Sequence, residues 1–284
     1  MMTSTLWALG PAGTNGHEAA LGFLRDGDPA ASPIAFARTH RDIFDHLVHT
    51  PVDRGVVPIE NVLAGFVGEV VRFWLTTTDD HPPFGVVGER WVPIRHHLLA
   101  HPRVDAISDL SLVVSHPHAL QQCEERLSAL GIQTEAVSST AQAAHLVAQD
   151  KTGRAVGALA STLAAKTYGL QLLESDVQAT MKNATRFFHL SRETVAPTGN
   201  DKIALLIWVH HLSGQLDRII HPIAEAGANM YSIHSIPLGE KEEYAFYLEC
   251  SGHQDEPQTQ RLIRTLRATA KRLIVLGSFP RCET

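Results

Sequence analysis

A change of hydrophobic pattern near residue 200 constrains this chain more than any other feature. From residue 6 to about residue 190, short β-branched runs alternate with amphipathic stretches. Short runs buried on both faces imply an α/β unit on largely parallel strands. Candidate strands fall at 6–9, 55–58, 112–114, 133–137 and 155–160. Between them Ile43, Phe44, Leu47 and Val48 recur at helical spacing, as do Leu120, Cys123, Leu127 and Leu130, and both stripes are assigned to core. Residues 191–201, with Pro197, Gly199 and Asn200, have the composition of a connector. Beyond them the order is strand 203–209, helix 214–226, strands 230–236 and 244–250, helix 257–270 and strand 273–276. That βαββαβ order is the ferredoxin-like arrangement. The chain therefore divides into a first unit at 1–190, a linker at 191–201 and a second unit at 202–284.

Composition narrows the classes of function. Apolar residues at 44% and charged residues at 19% suit a globular protein, and no apolar run approaches the length of a bilayer span. The start, Met1-Met2-Thr3-Ser4-Thr5-Leu6, has neither the basic flank nor the apolar stretch of a secretory signal, so the cytoplasm is expected. A formal charge of -6 argues against a nucleic-acid binder but leaves room for a small anion held by local donors. Cys123, Cys250 and Cys282 form no C-x-x-C pair and suit a reducing compartment. His96-His97, His116-x-His118 and His210-His211 invite a metal reading, yet no carboxylate or third ligand stands at the spacing of a known metal motif. No metal is expected.

Five polar segments interrupt the framework. Gly10-Pro11-Ala12-Gly13-Thr14-Asn15-Gly16-His17-Glu18 follows the first strand and opens a helix. Asn15 and Glu18 have capping-box spacing, and the glycines let backbone N–H groups approach an anion. It is no Walker loop, and a plain strand-to-helix turn accounts for it as well. Pro58-Ile59-Glu60-Asn61 carries polar side chains to the carboxyl end of a buried strand, where ligands of open α/β sheets bind. A turn with a helix cap explains it too. Ser115-His116-Pro117-His118, leading to Gln122, and Ser139-Thr140-Ala141-Gln142 repeat the pattern, with Ser115 and Ser139 placed as caps. Several such helix starts in one unit can converge on a dianion. The last is Asn183-Ala184-Thr185-Arg186-Phe187, for which a solvent-facing strand is the plainer account.

Taken in order, these segments resemble the prephenate dehydratase family with its C-terminal ACT domain. The resemblance extends to Gly88-Glu89, Pro93-Ile94, His97-Leu98-Leu99 and Tyr168-Gly169-Leu170 and covers nearly the whole chain. It implies a two-lobed catalytic domain like a type II periplasmic binding protein, with the active site in the cleft, plus a ferredoxin-like ACT domain. It implies decarboxylating dehydration of prephenate to phenylpyruvate, with no cofactor. Thr185 is expected to assist the leaving hydroxyl, and Arg186 to hold a carboxylate by a forked, charge-assisted pair. Glu60, Asn61, Ser115 and Gln122 complete the implied catalytic set, while Gly13, Thr14, Ser139, Thr140 and Phe187 are expected to bind substrate. In the second unit the implied L-phenylalanine effector site involves Gly214, Gln215, Leu216, Asn229, His234 and Ser235. A homodimer or homotetramer is implied, with no nucleic-acid or membrane partner. The chain opens on the first strand of the dehydratase unit, so chorismate mutase activity is not expected.

The chain departs from the family at Asn15-Gly16, where Phe-Ser is usual, and at Val62, where Ser is usual. In the second unit Gly214-Gln215-Leu216 stands for Gly-Ala-Leu, and His234-Ser235-Ile236-Pro237 for Glu-Ser-Arg-Pro, which removes an acidic and a basic residue. Three alternatives stay open. They are an arogenate dehydratase, a decarboxylase that leaves the ring unaromatised, and a non-catalytic amino-acid sensor.

Overall fold

The computed structural model describes residues 4–25, 33–152, 154–210, 212–239 and 243–282, so Met1 to Thr3 and the second histidine of His210-His211 lie outside it. The first sheet contains β1 (Leu6–Leu9), β2 (Ile34–Ala37), β3 (Arg54–Asn61), β5 (Gly85–Pro93) and β11 (Ala184–Ser191) in the order β2-β1-β3-β11-β5, with the short β4 (Gly65–Phe66) on β3. The second has the order β10-β6-β9-β7-β8, from β6 (His97–Ala100), β7 (Leu112–Ser115), β8 (Gln133–Ala136), β9 (Val156–Ala160) and β10 (Gln171–Glu174). The chain thus leaves the first lobe after β5, builds the second, and returns as β11.

Both sheets are mixed, which corrects the expectation of largely parallel strands. β1 runs parallel to β2 and β3, but β11 lies antiparallel between β3 and β5, and β6 is antiparallel to β9 and β10. An apolar run reports burial and carries no sign of strand direction. The helical stripes also need adjustment. In α2 (His40–His49), whose N-cap Thr39 and Asp42 bond reciprocally at 3.1 Å, Ile43, Phe44 and Leu47 are buried, but Val48 turns outward. The stripe from Leu120 to Leu130 breaks at Cys123 into α4 (Pro117–Gln122) and α5 (Glu124–Ala129).

The third sheet has the order β13-β14-β12-β15, from β12 (Asp201–Trp208), β13 (Met230–Pro237), β14 (Tyr244–Ser251) and β15 (Arg272–Pro280). With α8 (Gln215–Glu225) and α9 (Pro257–Thr269) it forms the βαββαβ module. Every residue of β12 is buried because both faces of its sheet are covered. Ile203, Leu205 and Ile207 pack under the helices against Ile219, Ile223 and Leu266. Ala204, Leu206, Tyr247 and Phe279 turn the other way and join one core with Phe44, Trp74, Phe84 and Phe188 of the first lobe. Burying such large side chains contributes about 1.5–3 kcal/mol each.

An ion cluster sits where module and first lobe meet. Successive strand residues face opposite sides, so Arg186 points away from Thr185 and toward the module. Its guanidinium donates to Glu249 at 2.6 and 2.7 Å and to Glu89 at 2.8 Å, and Glu60 lies 3.0 Å away. Lys202 reaches Glu89 at 2.9 Å, and Tyr247 donates its hydroxyl to Glu249 at 2.5 Å. Glu89 and Glu249 have no exposed side-chain surface.

Candidate active site

A cavity of about 400 Å³ lies between the two lobes, and its walls come from the ends of strands and helices of both. From the first lobe, α1 (Asn15–Arg25) presents Thr14, Asn15 and Gly16. Thr14 rather than Asn15 closes this turn: its Oγ1 donates to the Leu9 carbonyl at 2.9 Å and accepts from the His17 N–H at 3.2 Å. From the second lobe, α6 (Thr140–Gln149) presents Ser139 and Thr140, with the Ser139 Oγ accepting from the Gln142 N–H at 3.0 Å. Two helix N-termini from opposite walls therefore face one cavity, each adding partial positive charge. None of the described residues lining it is Asp, Glu, Lys or Arg.

A chain of amides crosses the floor, and the backbone sets its direction. Asn61 Oδ1 accepts the N–H groups of Leu63 and Ala64 at 3.0 and 2.8 Å. Its Nδ2 must then face the other way, donating to Asn183 Oδ1 at 2.8 Å and Thr185 Oγ1 at 2.9 Å. Asn183 in turn donates from Nδ2 to Gln122 Oε1 at 3.1 Å. Because Thr185 Oγ1 is already an acceptor, its own proton is left to donate. Burial lowers the pKa of His96 and His116, which also line the cavity; at His96 a hydrogen bond to Gln122 opposes that effect.

The structure brings together Thr185, Asn61, Gln122, Thr14, Ser139, Thr140 and Phe187 around this cavity. It places four expected residues elsewhere. Arg186 is consumed by Glu249, Glu89 and Glu60 behind the sheet, and so cannot hold a carboxylate in the cleft. Glu60 alternates with Asn61 on β3 and shares Arg186's side. Ser115 is fully buried and donates to the Leu159 carbonyl at 2.7 Å, tying β7 to β9. Gly13 forms an interlobe contact: its carbonyl accepts from Ser161 Oγ at 3.2 Å. A Cβ there would stand 2.9 Å from Ala164 Cα of α7 (Thr162–Tyr168), and its φ of +86° suits glycine.

The expected effector residues are dispersed within the chain. Gln215 and Leu216 line a cavity of about 240 Å³ beside the start of α8, and Gly214 is the left-handed cap of that helix. His234 instead stacks on Phe66 of the first lobe, with ring centroids 4.0 Å apart. Ser235 is exposed, and Asn229 bonds through its N–H to Ser251 Oγ at 2.9 Å at the far end of β13. Asn183, His96, Asn15 and Gly16 line the cleft but were not among the expected site residues. Asn15 and Gly16 stand in the glycine-rich segment read as a candidate anion site, and Asn183, two residues before Thr185, falls on the same side of an extended chain. Among the described residues no group of three or more His, Cys, Asp or Glu is arranged to hold a metal, and no helix is long and apolar enough to cross a membrane.

Fold and cleft define a two-lobed mixed α/β protein whose interlobe pocket is faced by two helix N-termini. The family model described as prephenate dehydratase matches residues 6–195, and the chain belongs to that family. A bifunctional chorismate mutase/prephenate dehydratase of Aquifex aeolicus is 33% identical over 96% of this chain and 72% of its own length. An arogenate dehydratase/prephenate dehydratase of Arabidopsis thaliana is 36% identical over 81% of this chain, which spans only 61% of that relative. Among solved structures, prephenate dehydratase of Arthrobacter aurescens in complex with L-Phe superposes with a TM-score of 0.84 at 25% identity, covering 98% of this chain and 90% of that one. A protein described as a quorum quenching acylase gives 0.83 at 26% identity, covering 98% of both chains.

Proposed function

We propose that the chain is a prephenate dehydratase that binds prephenate in the interlobe cleft and releases phenylpyruvate, carbon dioxide and water. The supporting observation is the Thr185 hydroxyl, held as an acceptor by Asn61 and so left with a free proton facing the cleft. The bond from the ring to its carboxylate breaks and its electron pair enters the ring. The ring carbon–oxygen bond breaks as the ring aromatises, and the Thr185 proton passes to the departing hydroxyl, which leaves as water; the Thr185 oxygen takes a proton back from solvent, the one proton each turnover consumes. Aromatisation supplies most of the drive, so the site has to orient the ring and stabilise departing charge. With Arg186 behind the sheet, the substrate carboxylates fall to the N-termini of α1 and α6.

That anion site has a consequence for substrate choice. Arogenate carries an ammonium where prephenate carries a ketone, and none of the described cleft-lining residues is a carboxylate to pair with it. The helix N-termini also disfavour a cation. Prephenate is expected to exceed arogenate in kcat/KM by about 10–100-fold, the worth of one unpaired charged hydrogen bond. An ultraviolet assay for aromatic product decides it. Faster conversion of arogenate would reverse the preference, while a dihydro product or none at all would sink the dehydratase reading.

We propose further that 1–190 is the catalytic domain, 191–201 a linker and 202–284 an ACT-type domain that takes L-phenylalanine. Support comes from the βαββαβ sheet order, the L-Phe in the Arthrobacter aurescens relative, and the cavity lined by Gln215 and Leu216. Gln215 is buried and its Oε1 has no hydrogen-bond partner among the described residues, which offers an acceptor to an ammonium group. Calorimetry of the full chain is expected to show saturable L-phenylalanine binding that Gln215→Leu weakens about tenfold, as loss of a charge-assisted hydrogen bond does. Absence of saturable heat rejects the effector. A cytoplasmic location agrees with free Cys123 and Cys250, whose thiols burial pushes up to about 12.

A further inference from the structure

His96 is buried at the mouth of β6, with its main-chain N–H donating to Gln178 Oε1 at 2.9 Å and its carbonyl accepting from the Val177 N–H at 2.9 Å. Its backbone is therefore held on both sides of the residue. Its Nε2 stands 3.1 Å from Gln122 Oε1. Which of the two donates follows from the amide chain. Leu63 and Ala64 fix Asn61, Asn61 fixes Asn183, and Asn183 donates to the same Gln122 oxygen. An oxygen can accept twice, so the proton of the His96 contact must lie on Nε2.

We propose that His96 is a positioning residue for the reaction: as the Nε2–H tautomer it pins the Gln122 carboxamide oxygen to the floor and turns the Gln122 amide N–H group toward the substrate. Two anchors hold that oxygen, Asn183 from the first lobe's side and His96 from the second's. Without the imidazole donor the carboxamide loses one of them and can swing its oxygen toward the cleft. An oxygen there would repel the carboxylates and the departing hydroxyl instead of donating to them. Two protons then reach the substrate from opposite ends of one network, the Thr185 O–H and the Gln122 N–H. His96 itself need touch no reacting atom.

This inference rests on the cleft being the dehydratase site, and its test separates the two. Conversion of prephenate by the unaltered protein tests the site. Nitrogen-15 shifts of the histidine rings of the unaltered protein at neutral pH test the tautomer without any substitution. Protonation at Nε2 of His96 is expected, and protonation at Nδ1 overturns the proposal. In kinetics, His96→Gln keeps a donor at the reach of Nε2, whereas His96→Met fills similar space with none. His96→Met is expected to lower kcat about 10–100-fold with KM little changed, and His96→Gln to recover most of that loss, the scale of a misplaced catalytic group. Joined to Gln122→Ala, His96→Met is expected to add nothing, since both act through one group. Equal losses for Gln and Met, or losses that multiply in the double variant, overturn it.

Discussion

Thr185→Ala is expected to lower kcat about 10²–10⁴-fold, the usual contribution of a positioned proton donor, with KM changed only a few-fold. The split follows from the geometry. The substrate's carboxylates are read by the N-termini of α1 and α6, which the substitution leaves alone, while the hydroxyl acts on charge that develops only as the ring oxygen departs. Loss of the Asn61 hydrogen bond to Thr185 Oγ1 should cost the fold only about 1 kcal/mol, because Asn61 keeps Asn183 Oδ1 and the Ala184 carbonyl as acceptors. Thr185→Ser keeps donor and acceptor and should retain most of the activity. Thr185→Val keeps shape alone and should match alanine. Steady-state rates on prephenate, beside melting curves for each variant, check all three. A Thr185→Ala enzyme that is folded and turns over at the unaltered rate would remove this residue from the chemistry.

What could be read before the fold was known follows a physical line. The βαββαβ order was legible because its strands lie under amphipathic helices, so burial is written in the residues with periods of two and 3.6. The first unit's element types were legible in part, while strand direction and the exit to the second lobe were not. Such pairings join residues far apart, as in Thr185 opposite Asn61 and Val92. At the site, chemistry was easier to read than facing. Thr185 and Arg186 are neighbours in one polar segment, and the segment cannot say that the strand's pleat sends one to the cleft and the other to Glu249. Ser115 reads as a cap by residue type, yet its hydroxyl is taken by the carbonyl of Leu159, 44 residues on. His96 stood out only as one of a histidine pair that invited a metal reading, and nothing local tied it to Gln122, which comes from another element.

Glu249→Ala should be among the most destabilising single changes in the chain, about 3–5 kcal/mol, because it breaks the buried, forked pair with Arg186, which keeps only Glu89, shared with Lys202, and the partly exposed Glu60, and because it leaves the buried Tyr247 hydroxyl without its acceptor. Melting should fall by roughly 10 °C, at 2–4 °C per kcal/mol for a unit of this size. The acid limb tells whether the carboxylate's charge is the cause. Burial pushes the Glu249 pKa up, but the hydrogen bonds and charge of Arg186, with Lys202 and Tyr247, outweigh it and hold the group below its ordinary value. A folded-state pKa below the unfolded one stabilises the protein above the unfolded value, about 4, and that contribution fades as pH falls through the folded value. The gap between the unaltered protein and Glu249→Gln should therefore be widest near neutrality and narrow as pH falls below the unfolded value. A gap that holds constant with pH would mean that shape, not charge, sets the cost. The same change should lower kcat although Glu249 touches no substrate, because Arg186 and Thr185 are consecutive on β11 and the cluster braces that strand from behind. Replacing both partners, as Arg186→Met with Glu249→Leu, should restore much of the stability, since an apolar pair leaves no buried charge unmatched.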